Sequence, residues 1–154
     1  MKNKFIGCSF QFSCDYRKHF LLLFNNIDIK NYLWYVCDSE IYCEKSLTPL
    51  FEDGYYSGLD FAKIIAEKSY HIIHSRVFAI SNKKDIHSPD KIKTYEEFCN
   101  SDCDFAILCA DCYCDFYAKD EKIIQAIVDS CKLQLICKVS YITEDNDTRT
   151  SFYI

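Results

Sequence analysis

Cys103-Asp104-Phe105-Ala106-Ile107-Leu108-Cys109-Ala110, then Asp111, then Cys112-Tyr113-Cys114-Asp115-Phe116-Tyr117 is the stretch whose reading decides the fold. Side chains alternate along a strand, so Cys103, Phe105, Ile107 and Cys109 line one side and Asp104, Ala106, Leu108 and Ala110 the other. Both rows are largely apolar, which predicts an inner strand. Beyond Asp111 the alternation resumes, with Cys112, Cys114 and Phe116 on one face and Tyr113, Asp115 and Tyr117 on the opposite one. That is a half-buried strand, expected to form a hairpin with the first. Asp120 then stands at a helix N-cap, and Ile123, Ile124, Ile127, Val128 and Cys131 follow at offsets of three and four, with Lys122, Gln125, Asp129 and Lys132 on the outer side. Such a helix must lie on the sheet. Leu133 to Ile142 reads as a further strand, Glu144-Asp145-Asn146-Asp147 as a turn, and Thr148 to Ile154 as a last β-prone run.

Working back to the start, Ile6, Cys8, Phe10 and Phe12 share one face of a half-buried strand. Tyr16, Phe20, Leu23 and Phe24 fall at helical offsets, predicting a helix from Ser13 to about Asn25. Tyr32 to Val36 and Glu40 to Glu44 read as two strands of a hairpin about Cys37-Asp38-Ser39, with Trp34 as a core anchor. Ser46 to Ser57 reads as a loop, and a helix capped by Ser57 follows to Ser69. Tyr70 to Ile80 is a long strand. On a regular strand His71 and His74 point to opposite faces, so they cannot hold one ion together without a bulge. Residues 81–93 read as an exposed connection, and Thr94-Tyr95-Glu96-Glu97 as a capping box opening a short helix.

The fold class expected is α+β, a mostly antiparallel sheet of hairpins with two or three helices packed on it. One domain spanning 1–154 is expected, with the 81–93 connection as the place where two halves would meet.

Composition narrows the function. Hydrophobic residues make up 49% and aromatic residues 16% of the chain, with three Gly and two Pro, so it can bury a core and is not a disordered or collagen-like sequence. A net charge of -5 argues against duplex nucleic acid as partner, because phosphate contacts need clustered cations and the densest pairs are only Arg17-Lys18 and Lys83-Lys84. A basic partner is the better electrostatic complement. The longest strongly apolar run, Phe20 to Phe24, is too short to cross a bilayer, and the N-terminus makes a poor signal peptide. The expectation is therefore a cytoplasmic protein without a membrane partner.

Eleven cysteines invite a disulfide or zinc reading. The number is odd, and Cys109-x-x-Cys112-x-Cys114 falls across strand, turn and strand instead of in a knuckle. Cys103, Cys109, Cys112 and Cys114 occupy positions where Val or Ile would serve, so they are expected to be buried thiols. No metal and no cofactor is expected. Nothing matches a phosphate loop, a G-x-S-x-G elbow or an H-E-x-x-H helix.

Asn31-Tyr32-Leu33-Trp34, Glu40-Ile41-Tyr42, Thr94 to Phe98 followed by Ser101-Asp102-Cys103, and above all Tyr141-Ile142-Thr143-Glu144-Asp145-Asn146-Asp147-Thr148-Arg149-Thr150 resemble a family of short, uncharacterised Firmicute proteins labelled only as a domain of unknown function. The resemblance runs over nearly the whole chain. It implies a bacterial, cytoplasmic protein and carries no activity to transfer. Cysteine richness is not expected of that family, which favours thiols as filler.

The functional expectation is a non-enzymatic protein-interaction module, of immunity or regulatory type, that holds a basic partner. Its surface would be formed by Asp111, Tyr113, Asp115, Tyr117, Asp145 and Asp147, aromatics supplying area and carboxylates steering the partner. The alternative is a small metal-dependent hydrolase or nuclease, with Asp102, Asp104, Asp111 and Asp115 holding magnesium beside a histidine base. A third reading places zinc or redox chemistry on Cys109, Cys112 and Cys114. No catalytic residue can be assigned.

Overall fold

A computed structural model describes residues 4–13, 18–81, 89–133 and 137–154 of the chain. The sheet has seven strands, β1 (Phe5–Gln11), β2 (Leu33–Cys43), β3 (Gly54–Tyr56), β4 (Tyr70–Ile80), β5 (Phe105–Ala110), β6 (Tyr113–Ala118) and β7 (Cys137–Thr143), in the order β3-β2-β4-β5-β6-β1-β7. Every neighbouring pair is antiparallel. The helices are α1 (His19–Leu23), α2 (Gly58–Glu67), α3 (Tyr95–Cys99) and α4 (Glu121–Leu133). The α+β class and the antiparallel sheet are as the periodicity predicts.

The alternation of each strand splits the core in two. One face carries Trp34, Val36, Val77, Ala79, Phe105, Ile107, Phe116 and Phe10; α2 packs against β2 and β3, and α4 against β1, β6 and β7 on this side, with α1 between the two helices. Trp34 is the expected anchor. It is fully buried and stacked on Phe61 of α2 at 4.0 Å, and its indole N–H donates to the Ile29 carbonyl. The other face carries Phe78, Ile80, Ala106, Leu108 and Tyr117, roofed by Ile92, Phe98 and Cys103 from residues 89–103 and by Phe152 from the C-terminal tail. Phe152 sits between Phe98 and Tyr117, 5.8 and 4.8 Å from their ring centres. Covering both faces is what allows β5 to be apolar on both of its rows.

The caps follow the sequence. Ser57 accepts from the Asp60 amide, Thr94 from the Glu97 amide, and the Asp120 carboxylate from the Lys122 amide. Five expectations are corrected. Tyr32 to Val36 and Glu40 to Glu44 are not hairpin partners but two halves of one strand, because both pair with β4 from Leu33↔Ile80 to Cys43↔Tyr70. The loop at Ser46 to Ser57 contains the short edge strand β3, laid along β2 from Trp34↔Tyr56 to Val36↔Gly54. Thr148 to Ile154 is irregular instead of a strand: the Phe152 amide donates to the Lys93 carbonyl and the Arg149 side chain donates to Asp115. The Ser13 to Asn25 helix is seen as α1 alone, and Leu133 ends α4 instead of opening a strand, with β7 beginning at Cys137. Residues 14–17 and most of the 81–93 connection lie outside the described residues. Among the described residues no helix is long and apolar enough to cross a membrane.

Gly7 of β1 lies against the β6 backbone, opposite Tyr117. A Cβ there would stand 1.9 Å from the Phe116 carbonyl oxygen, so the backbone of a central pair has to part. Gly7→Ala is expected to destabilise the fold by about 1–3 kcal/mol, read as a lower urea midpoint with an unchanged slope. A midpoint equal to that of the parent chain would show that β1 shifts freely.

Candidate interaction surface

Strand register builds one feature that no single strand contains. Glu40 pairs with His74, His74 with Ala110, Ala110 with Tyr113, and Tyr113 with Gln11. Directly opposed residues share a face, so these side chains form a row across the sheet. It lies on the face roofed elsewhere by α3 and the tail, and here the roof ends: Glu40, Ala110 and Tyr113 are exposed and His74 and Gln11 half-buried. Tyr113 shows 63% of its surface. Tyr42 and His71, paired in the next row, and the exposed Ile73 extend the band toward the far ends of β2 and β4.

Two bulges shape it. Between Cys37 and Glu40 the β2 chain advances one residue more than β4, and between Glu40 and Ile41 β4 advances one more than β2. The second bulge restores His71 and His74 to the same face, which the regular alternation does not allow. At the first, Asp38 adopts φ 49, a left-handed conformation that costs a non-glycine residue of order 1 kcal/mol or more. The Asp53 carboxylate holds it there, accepting the Asp38 and Ser39 amides at 3.1 and 3.2 Å. His74 Nδ1 lies 2.6 Å from the Asp38 carbonyl oxygen, which requires Nδ1 to carry the proton and donate. Its Nε2 then faces Glu40 Oε2 at 3.4 Å. Beneath the bulge Arg76, 1% exposed, donates to Asp38 Oδ2 at 2.7 Å and to the Ile92 and Asp90 carbonyls at 3.1 and 2.9 Å. The Tyr153 ring lies 4.7 Å from its guanidinium carbon. Arg76 is therefore committed to holding the roof and is not free to meet a ligand.

The six acidic and aromatic residues expected to form one surface are separated. Asp111 and Tyr113 are exposed at the β5–β6 turn and adjoin the row. Asp145 is exposed but follows the end of β7 that pairs with Phe5, and so stands at the other end of the sheet. Tyr117 is corrected outright. It is fully buried, and burial together with the Asp147 carboxylate, which accepts its hydroxyl at 3.0 Å, pushes its phenol well above the usual tyrosine range. Asp115 spends one oxygen on Ser9 at 2.6 Å and the other on Arg149 at 2.8 Å, and Asp147 also accepts the Arg149 amide. Asp115, Tyr117 and Asp147 thus fasten the C-terminal tail to the sheet. Glu40, His74 and Arg76, by contrast, were readable only as isolated polar residues in apolar strands; the cue was a polar row on β4 that no helix could cover.

The family model described as "Protein of unknown function (DUF2691)" matches residues 5–153. The chain belongs to this family. A relative, "Uncharacterized protein YncE" of Bacillus subtilis (strain 168), is 29% identical over 157 residues, covering 96% of this chain and 98% of the relative. No solved structure matches.

In this DUF2691 chain the carboxylates proposed for magnesium do not meet. Asp104 and Asp111 bound opposite ends of β5, Asp104 accepts the Ser81 amide, and Asp115 is engaged by Ser9 and Arg149. Among the described residues no group of three or more His, Cys, Asp or Glu side chains could hold a metal ion. The C-x-x-C-x-C run of the DUF2691 chain divides in the same way: Cys109 and Cys114 are buried on the helix-covered face and Cys112 is half-buried in the turn.

Proposed function

We propose that the protein is a non-enzymatic interaction module of the cytoplasm, immunity-type or regulatory, that binds a basic protein segment along the Glu40–His74–Ala110–Tyr113–Gln11 row. The observation that carries this reading is the exposure of that row on a face which is otherwise roofed. An uncovered band with an aromatic at its centre supplies contact area, and Asp38, Glu40, Asp53 and Asp111, all exposed around it, supply the field that draws Lys or Arg toward it. A flat row of mixed polar and aromatic side chains suits an extended segment better than a small molecule, which needs concavity.

Panning a library of random peptides against the full chain tests this. The expected result is enrichment of peptides carrying Lys or Arg beside an aliphatic or aromatic residue, with affinity that falls as salt rises. Tyr113→Ser and Glu40→Lys should each weaken such a peptide about tenfold, the scale of a central contact, while Leu59→Ser on α2 should leave it unchanged. No enrichment, or binding indifferent to the row and sensitive to Leu59, would overturn the reading.

A further inference from the structure

Cys109 and Cys114 stand directly opposite each other across β5 and β6. Both are buried, and their sulfurs lie 2.8 Å apart, the Cys114 thiol donating to Cys109. We propose that this pair is an oxidation site, closing as an intramolecular disulfide without rearrangement of the sheet. Directly opposed residues of an antiparallel pair hold their Cα atoms about 4.5–5.5 Å apart, within the roughly 4.4–6.8 Å that a disulfide spans. The backbone is already in place, and small rotations of two side chains complete the bond. Cys112 is not a rival partner, because it lies in the turn and faces neither sulfur across a strand pair.

The oxidant is a small-molecule disulfide. One thiol, as thiolate, attacks a sulfur of that disulfide; an S–S bond breaks, a mixed disulfide forms, and the first small thiol leaves with the proton. The second cysteine then attacks the protein sulfur of the mixed disulfide, releasing the second small thiol with the second proton. The cysteine pair loses two electrons and the small disulfide gains them. Burial makes the first attack depend on opening of the β5–β6 hairpin end, where Ala110 and Asp111 are exposed. Mild urea, below the unfolding transition, therefore speeds the reaction. The site does not depend on the proposed function.

The test incubates the full reduced chain with oxidised glutathione, quenches in acid, and alkylates in denaturant. Alkylatable thiols are expected to fall from the eleven of the chain by the two of the pair, to nine. Cleavage before Asp111 and after Tyr113 separates Cys109, Cys112 and Cys114, and the linked peptides should join Cys109 to Cys114 in the unmutated chain. C112S should close at the rate of the parent, whereas C109S and C114S should not close. A first linkage through Cys112 or Cys99, mixed disulfides that never resolve, or no closure before global unfolding would each overturn the proposal.

Discussion

Arg76→Met is expected to lower the unfolding free energy by about 2–6 kcal/mol, the cost of leaving two backbone carbonyls without their donor. The magnitude does not come from Asp38. That carboxylate is 53% exposed, so water can take over its solvation and its half of the pair is worth little. The weight lies with the Ile92 and Asp90 carbonyls, which Met leaves without their donor, each at about 1–3 kcal/mol where buried. If the carbonyls dominate, Asp38→Asn alone should cost less than Arg76→Met and should not rescue it. Urea denaturation measures both, and amide exchange should show the damage first in residues 89–93 and in the tail at Tyr153, which stacks on the guanidinium. An Arg76→Met chain within 1 kcal/mol of the parent would mean that the roof is held by Phe98, Phe152 and Tyr117 alone.

The reach of the sequence can be judged on particular elements. Strands β1, β4, β5 and β6 and helices α2 and α4 were legible because each buries one face or both, and burial imprints a period of two or of 3.6 on the apolar residues. Strand β2 was legible as strand but not as one strand. Asp38-Ser39 has turn chemistry, and only the distant Asp53 carboxylate, which caps the two amides in place, turns a reversal into a bulge. β3 and the tail were missed for a related reason: neither has a periodic face, and each is fixed by contacts remote in sequence, Trp34↔Tyr56 for one and Phe152 with Arg149 for the other. The surface suffered most. Asp115 and Tyr113 lie two residues apart on one strand row, yet Arg149 pairs with the first and leaves it half-buried while the second is 63% exposed. Exposure on a roofed sheet depends on where the roof stops, and that is a property of register across strands, which no local pattern reports.

Raising the pH above 9 should unfold the protein well before its arginines lose their charge. A thiol ordinarily ionises near 9.0; burial pushes Cys103 up to about 11 and Cys37 and Cys131 up to about 12. In the unfolded chain these thiols release their protons first. Between pH 9 and 11 the native state therefore binds more protons than the unfolded one, and stability falls as pH rises. Below pH 9 both states keep the protons and these groups contribute no slope. Each contributes about 1.4 kcal/mol per pH unit within the window, so three together lower stability by about 4 kcal/mol per unit, against a total of about 5–15 kcal/mol for an ordinary domain. Cys8 and Cys114, held higher still by burial, add to the slope from pH 9, and Tyr117, whose ordinary value is 10.0, adds to it from pH 10. Urea midpoints at pH 7, 9, 10 and 11 should be level at first and then drop sharply, with unfolding complete without urea near pH 11. Cys131→Val keeps the volume and removes one of the five raised thiols, so it should match the parent at pH 7 and lose about a fifth of the slope above pH 9. A midpoint that stays level to pH 11 would mean that the thiols ionise in place, and that the core admits enough water or counter-charge to hold them.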